Sequence, residues 1–292
     1  MQRCHNGSDF GQTRYPCDGA EMMDLWFWLW LPVLVGITAI EVIGGRHGQL
    51  ADRTLRWPAN LGLFGLEIAT TSALSAGLVF LAVVQAPADP ILVNLRLMPL
   101  ALEVPLFMVA ITFVTYWLHR VSHGFALLWR FHRIHHSDTI VDPTTSLRHH
   151  PGEVVISFAV YQLLILMVHP SPEAVAVATS TERCFAAATH TSLTLPNWLD
   201  RWLGLIFVTP LQHAVHHSDF QPETDTNYGT VLNIWDRVFG TFRARPLRGP
   251  SDFRQGLTEV PAAKAEDLAV LLALPMMARD PWAKKRASGG DI

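Results

Sequence analysis

Charge is scarce in this chain. Only 16% of its 292 residues are Asp, Glu, Lys or Arg, against roughly 25% in soluble proteins. The net charge is −3, too small in either sense to hold nucleic acid or to steer an anionic partner. Cysteine is scarcer still. Cys4, Cys17 and Cys184 stand far apart, which excludes a Cys-x-x-Cys site and a disulfide framework. There is no Gly-x-Gly-x-x-Gly string, flavin fingerprint or haem-attachment motif, so any electrons the chain uses come from a separate donor. The helix-borne His-Glu-x-x-His of metalloproteases is missing too.

Apolar residues are what the chain has in abundance: 50% of the sequence, with ten Trp and a mean hydropathy of +0.23. Leu25 to Ile43, Leu61 to Ala86 and Leu97 to Leu118 are long apolar runs broken only by Glu41, Glu67 and Glu103. Each is close to the ~20 residues that cross a bilayer as a helix. Val154 to Val168 is shorter, and Pro170 and Pro172 separate it from Ala174 to Ala188. The pair reads as a membrane hairpin over 154–188. Arg46, Arg53 and Arg56 place the first loop in the cytoplasm, whereas 86–95 holds no Lys or Arg and faces outward. The third span then returns the chain to the cytoplasm.

Three tight histidine groups lie beyond that point: His119-x-x-x-His123, His132-x-x-His135-His136 and His213-x-x-His216-His217. Spacings of three and four put rings on one helix face. The topology delivers all three groups to the cytoplasmic mouth of the bundle. Neutral imidazole suits Zn, Cu, Fe and Ni. Eight imidazoles, without Cys or carboxylate inside the motifs, fit two ions sharing one pocket rather than a structural zinc site. Ligand type alone does not choose the metal.

From about Tyr116 to Phe242 the chain resembles the fatty acid hydroxylase / sterol desaturase superfamily of integral-membrane di-iron oxidoreductases. The strings that carry the likeness are Tyr116-Trp-Leu-His-Arg-Val-Ser-His123, Trp129-Arg-Phe-His-Arg-Ile-His-His-Ser-Asp138, Leu211-Gln-His-Ala-Val-His-His-Ser-Asp219, Asn227-Tyr-Gly229 and Trp235-Asp-Arg-Val-Phe-Gly-Thr241. The resemblance implies O2-dependent hydroxylation or desaturation of a C–H bond in a lipid such as a sterol, fatty acid or alkyl lipid. It implies two Fe ions on His119, His123, His132, His135, His136, His213, His216 and His217, and a ferredoxin-, cytochrome- or reductase-type electron donor. His150, before Pro151, matches a family histidine and is expected as a further ligand or a helix cap. His190 matches another, although Ser192 stands where the family has Asn. Asp138 and Asp219 follow each His-His-Ser and are expected to accept ligand N–H groups, with Glu153 a weaker candidate. His149, His169, His47 and His5 read as ordinary surface or interface residues.

The expected architecture is all-α: a multi-pass transmembrane helical bundle with a cytoplasmic histidine-rich helical cap. Its parts are a polar N-terminal tail at 1–21 without signal-peptide character, transmembrane helices at 22–118, a histidine-box catalytic domain at 119–245 and a C-terminal tail at 246–292. Pro196 to Phe207 reads as an interfacial helix with Trp198 and Trp202 at headgroup level. A zinc-dependent membrane lipid hydrolase and a metal-binding or transport protein are the alternatives. The second predicts metal ligands in mid-span, where the sequence places only scattered Glu.

Overall fold

The structure is a computed structural model that describes residues 30–44, 50–84, 91–249 and 251–277. The expected tail at 1–21, the start of the first span at Leu25 and the charged end from Arg279 lie outside the described residues. Among those residues the chain is all-helical, with two isolated β-bridges and no strand. The long helices are α1 (Trp30–Ile43), α2 (Leu50–Val84), α3 (Leu100–Gly124), α4 (Ala126–His136), α5 (Pro151–Val168) and α6 (Pro172–Thr189). Short helices follow: α7 (Asn197–Leu203), α8 (Pro210–His216), α9 (Gln221–Thr224), α10 (Ile234–Val238), α11 (Ala262–Ala265) and α12 (Leu268–Ala273).

Among the described residues two helices, α3 and α5, are long and apolar enough to cross a membrane. The first arm of the expected hairpin is therefore longer than its apolar run suggests. Pro151 sits at the first helical position, where its missing N–H costs nothing, and extends α5 to 18 residues. His169 ends α5 in the left-handed region (φ 44°). Ser171 then caps α6 through its side chain. The two arms pack on α3 through Phe107, Ile111, Leu164, Val168, Ala174 and Ala178. The alanines keep α6 thin on that face, and close approach follows.

The glutamates that interrupt the apolar runs are all turned inward and buried. Glu103 accepts the backbone N–H and hydroxyl of Ser171 at 2.5 and 2.9 Å, pinning the hairpin turn to the start of α3. Glu41, at the end of α1, accepts the Thr191 hydroxyl at 2.7 Å and the Ser192 N–H at 3.1 Å. A carboxylate in an apolar span is tolerated where donors satisfy it, and these contacts fix helix register. They also set direction: the Glu103 contact marks one end of the bundle, and the Glu41 contact marks the other, where His190 follows α6.

The region expected as a C-terminal tail contributes to the core. Leu271 and Leu274 are fully buried against Leu63 of α2 and Ile134 of α4. The expected interfacial helix is seven residues long, and its Trp198 and Trp202 are 64% and 70% exposed.

Candidate metal centre

Helix ends bring the histidines together. The last two turns of α3 carry His119 and His123, and α4 carries His132, His135 and His136. The short α8 carries His213 and His216, with His217 as its C-cap. Thr209 starts α8 through a reciprocal capping box with Gln212, and Pro210 follows at its first position. Such a start holds a seven-residue helix that propensity alone could not. The end of α4 is clamped by the fully buried Arg148, which donates to Ile134 O at 2.8 Å, Ser137 Oγ at 2.8 Å and Asn60 Oδ1 at 2.8 Å.

Nine imidazoles form two adjacent groups. His119, His123, His132, His136 and His216 make one, and His135, His190, His213 and His217 the other. Within each group the candidate ligand atoms lie within 4.8 Å of one another. The His-His doublets explain the division. Successive residues on a helix point about 100° apart, so His135 and His136 serve different groups, as do His216 and His217. The i, i+4 partners His132 and His136 stay together, and so do His213 and His217. The groups touch where His136 and His217 stack with centroids 4.6 Å apart.

The ring nitrogens show what the site can hold. Nδ1–H of His119 donates to Tyr228 O at 2.8 Å, and that of His216 donates to Thr226 O at 2.7 Å. Their Nε2 atoms are therefore bare lone pairs, and both are buried without a hydrogen-bond partner. His190 Nδ1–H donates to Ala186 O at 2.7 Å. Its Nε2 faces His135 Nε2 at 3.2 Å and His213 Nε2 at 3.0 Å. Lone pairs converge in this way around a cation. Burial, reinforced by neighbouring imidazoles, holds His135, His136, His213 and His217 well below the ordinary histidine range. Burial likewise brings His216 down to about 3 and His190 to about 4. At neutral pH these rings are uncharged, the form that binds metal. Nine converging imidazoles in two groups fit two transition-metal ions.

Of the three carboxylates expected beside the ligands, only the weaker candidate, Glu153, touches the site. Asp138 accepts from Arg56 at 2.9 Å and Thr145 at 2.7 Å, and Asp219 pairs with Arg248. Neither meets a histidine, because each turns from its His-His-Ser toward an arginine. Glu153 Oε1 instead accepts from His132 Nδ1 at 2.7 Å, and Asp225 Oδ1 from His123 Nδ1 at 3.3 Å. Asp225 went unnoticed in the sequence, where nothing in its spacing marks it. His150 is the one expected ligand outside both groups. Its Nδ1 accepts the Gly152 N–H at 2.9 Å, capping α5, and its Nε2 faces Leu272 O at 3.3 Å. Both nitrogens are spent there, so the expectation of a ligand is corrected to that of a cap. His149, expected at a surface, lies parallel to His135 with centroids 5.5 Å apart.

A cap closes the site. Asp236 accepts the N–H groups of Tyr228 and Gly229 at 2.8 and 2.9 Å, which aims the Tyr228 carbonyl at His119. Gly229 is required there, since a Cβ would run into Leu232 O and Asp236.

The fatty acid hydroxylase family profile matches residues 104–241, which hold every histidine of both groups. That stretch, a little under half of the chain, matches the fatty acid hydroxylase family. Human alkylglycerol monooxygenase is 35% identical over 134 residues, 46% of this chain and 29% of the relative. Ornithine lipid hydroxylase OlsE of Rhizobium tropici is 34% identical over 155 residues, 53% of this chain and 46% of the relative. A very-long-chain aldehyde decarbonylase of Oryza sativa subsp. indica, GL1-5, is 27% identical over 139 residues, 45% of this chain and 22% of the relative. The matches thus span less than half the length of these relatives. No solved structure matches the chain.

Proposed function

We propose that this protein is a multi-pass membrane oxidoreductase with two iron ions that uses O2 to hydroxylate or desaturate a C–H bond of a lipid. The observation that carries the proposal is the convergence of nine imidazoles, seven of them buried, into two touching groups inside the stretch that matches the fatty acid hydroxylase family. His119, His123, His132, His136 and His216 hold one ion, and His135, His190, His213 and His217 the other. Bound there, iron supplies the activation of O2 that abstraction from an unactivated C–H requires. The residues supply neutral donors, fixed tautomers and exclusion of water. Tyr228 and Thr226 carbonyls orient rings, as metal-site partners commonly do.

Arg46 in the sequence, with Arg53 and Arg56 at the start of α2, supports a cytoplasmic face for the centre. There it meets both a lipid from the bilayer and an external electron donor of ferredoxin, cytochrome or reductase type. The catalytic unit is 119–245, borne on the spans of 22–118. Sterol, fatty acid and alkyl lipid all suit a bilayer-facing site, and the names of the relatives support a lipid substrate.

Purified protein tests this directly. Elemental analysis should return two iron atoms per chain, and lipid oxidation should stop under nitrogen. Turnover without O2, restored by zinc after chelation, would replace the proposal with a zinc hydrolase. Metal uptake into vesicles without O2 consumption would replace it with a transporter.

A further inference from the structure

The chain contains an eight-residue repeat. Asn197-Trp-Leu-Asp-Arg-Trp-Leu-Gly204 and Asn233-Ile-Trp-Asp-Arg-Val-Phe-Gly240 share Asn, Asp, Arg and Gly at equivalent positions, with apolar residues between them. The first copy forms α7 and the second forms α10. The aspartate of each copy turns inward, and Asp200 and Asp236 are buried. Residues at i, i+3 and i+4 share the opposite face of a helix. On α7 these are Trp198, Arg201 and Trp202, and on α10 they are Ile234, Arg237 and Val238, all exposed. Hydrogen bonds join the copies into one platform. Asn233 Nδ2 and Arg237 Nη2 both donate to Gly204 O, at 2.8 and 2.6 Å, and the Asn233 N–H donates to Ile206 O at 2.9 Å. Leu205 and Ile206, which continue α7 toward this junction, are exposed as well.

The platform lies beside a membrane-capable helix rather than above it. Trp235 Nε1 donates to Thr112 Oγ1 of α3 at 3.2 Å, and the Trp235 ring meets Phe113 with centroids 5.0 Å apart. Phe239 packs on Tyr116 and Trp117 of α3 at 5.4 and 5.0 Å. The apolar run of α3 ends at Leu118. At about 1.5 Å per residue, Thr112 is about 9 Å below that end. Amphipathic helices that lie in the plane of a bilayer sit about 5–10 Å deep. A contiguous exposed apolar surface at this level marks a contact, and the bilayer around α3 is what adjoins it. Charge agrees. The aspartates face inward, so the outward face of the repeat shows arginine. Arg201 makes no side-chain hydrogen bond or ion pair among the described residues. Arg237 stands over the Phe242 ring, 3.7 Å from its centroid, and stays exposed. Long arginine stems let the guanidinium rise to the phosphates while its neighbours stay among acyl chains.

From the repeat and its level on α3 we infer that α7 and α10 form a paired in-plane anchor in the cytoplasmic leaflet. Trp198, Trp202, Leu205, Ile206, Ile234 and Val238 enter the acyl region, and Arg201 and Arg237 bind the phosphates of acidic phospholipids. The inference rests on the reading of α3 as a membrane span with the metal centre on the cytoplasmic face. The anchor is tied to that centre. Asp236 of α10 holds the Tyr228 backbone whose carbonyl orients His119, and Asn233 Nδ2 also donates to Gln212 Oε1, at 3.1 Å, in the turn that starts α8. The lipid surface thereby braces the cap over the histidines.

Site-specific fluorescence on the full chain provides the test. Cys4, Cys17 and Cys184 are replaced by Ser, and one fluorophore is attached at Trp202→Cys, at Val238→Cys or, on the exposed side of α3, at Val109→Cys. In vesicles of phosphatidylcholine and phosphatidylglycerol, bromine on the acyl chains should quench all three labels and aqueous iodide none. Iodide quenching at 202 and 238, with 109 still quenched by lipid, overturns the anchor and leaves the membrane span standing. Iodide quenching at all three overturns both. Shielding of 202 and 238 from both quenchers puts a protein partner on the platform and overturns the anchor. If Trp202→Cys fails to accumulate, Leu205→Cys carries the same expectation. Native mass spectrometry of the full chain released from the same vesicles should show phosphatidylglycerol retained in preference to phosphatidylcholine. Arg201→Gln should lower that preference roughly fivefold. Equal retention of the two lipids by the wild-type protein, or an unchanged preference in Arg201→Gln, overturns the phosphate assignment.

Discussion

Glu153 Oε1 accepts the Nδ1 proton of His132 at 2.7 Å across 21 residues of sequence. The bond places a carboxylate from the first turn of α5 behind an imidazole of α4. It fixes the tautomer, so that Nε2 faces the other rings of its group, and it raises the basicity of that nitrogen. Carboxylate partners of this kind typically contribute 10–100-fold in metal affinity. Glu153→Gln keeps shape and loses charge. Iron should bind it roughly 10-fold or more weakly in a competition titration against a chelator, with the helical circular dichroism unchanged. Wild-type affinity would show that the contact does not tune the site.

His150 and His190 separate ligand from cap. Both match histidines of the resembled family, yet only His190 joins a group, while His150 caps α5. His190→Ala should lose about half of the iron, since it opens a four-imidazole position. His150→Ala should keep its iron and lose roughly 0.5–2 kcal/mol of stability, the usual cost of a missing N-cap. Iron content and thermal midpoints of the two purified variants decide between them. Equal iron loss in both would contradict the division.

Acid should destabilise the metal-free protein well before it protonates carboxylates. His190 at about 4 and His216 at about 3 lie below the ordinary histidine value of 6.5. Above 6.5 these groups are neutral folded and unfolded, so they contribute no pH dependence. As pH falls below 6.5 the unfolded chain takes up protons that the fold refuses. Stability then drops by on the order of 1 kcal/mol per histidine per pH unit, until the folded values are reached. The thermal midpoint of chelator-treated protein should fall between pH 7 and pH 5. A flat midpoint would mean the rings are not buried neutral.

The histidine groups were legible because helical spacing is local information. Rings at i, i+3 and i+4 share a face whatever the rest of the chain does. The doublets' service to two groups follows from the same geometry. The all-α class was legible in the apolar runs. The partners were not. Asp138 and Asp219 sit in equivalent sequence positions, but where their carboxylates go depends on Arg56 and Arg248, each well separated in sequence. Asp225 reaches His123 over a separation of 102 residues. His149 looked like a surface residue because its neighbours Glu67 and His135 come from other elements. The packing of Leu271 and Leu274 was hidden by a flanking charged stretch that resembles a tail.

Arg148 provides the last prediction. Its guanidinium is fully buried and joins three parts of the chain: Ile134 O and Ser137 Oγ at the end of α4, Asn60 of α2, and the carbonyl of Ala265 of α11 at 2.5 Å. Its positive charge lies close enough to Asp138 to sink that carboxyl below its usual range, together with that of Arg56. Removing one partner of a buried charged network leaves the others uncompensated and typically costs about 3–5 kcal/mol. Arg148→Met should therefore lower the denaturation midpoint strongly. Because α4 carries three of the nine imidazoles, iron should be lost in the same transition. A double variant with Asp138→Asn should cost less or more than the sum of the two single substitutions, since coupled residues are not additive. Full additivity of the two substitutions would show that Arg148 and Asp138 do not share a network.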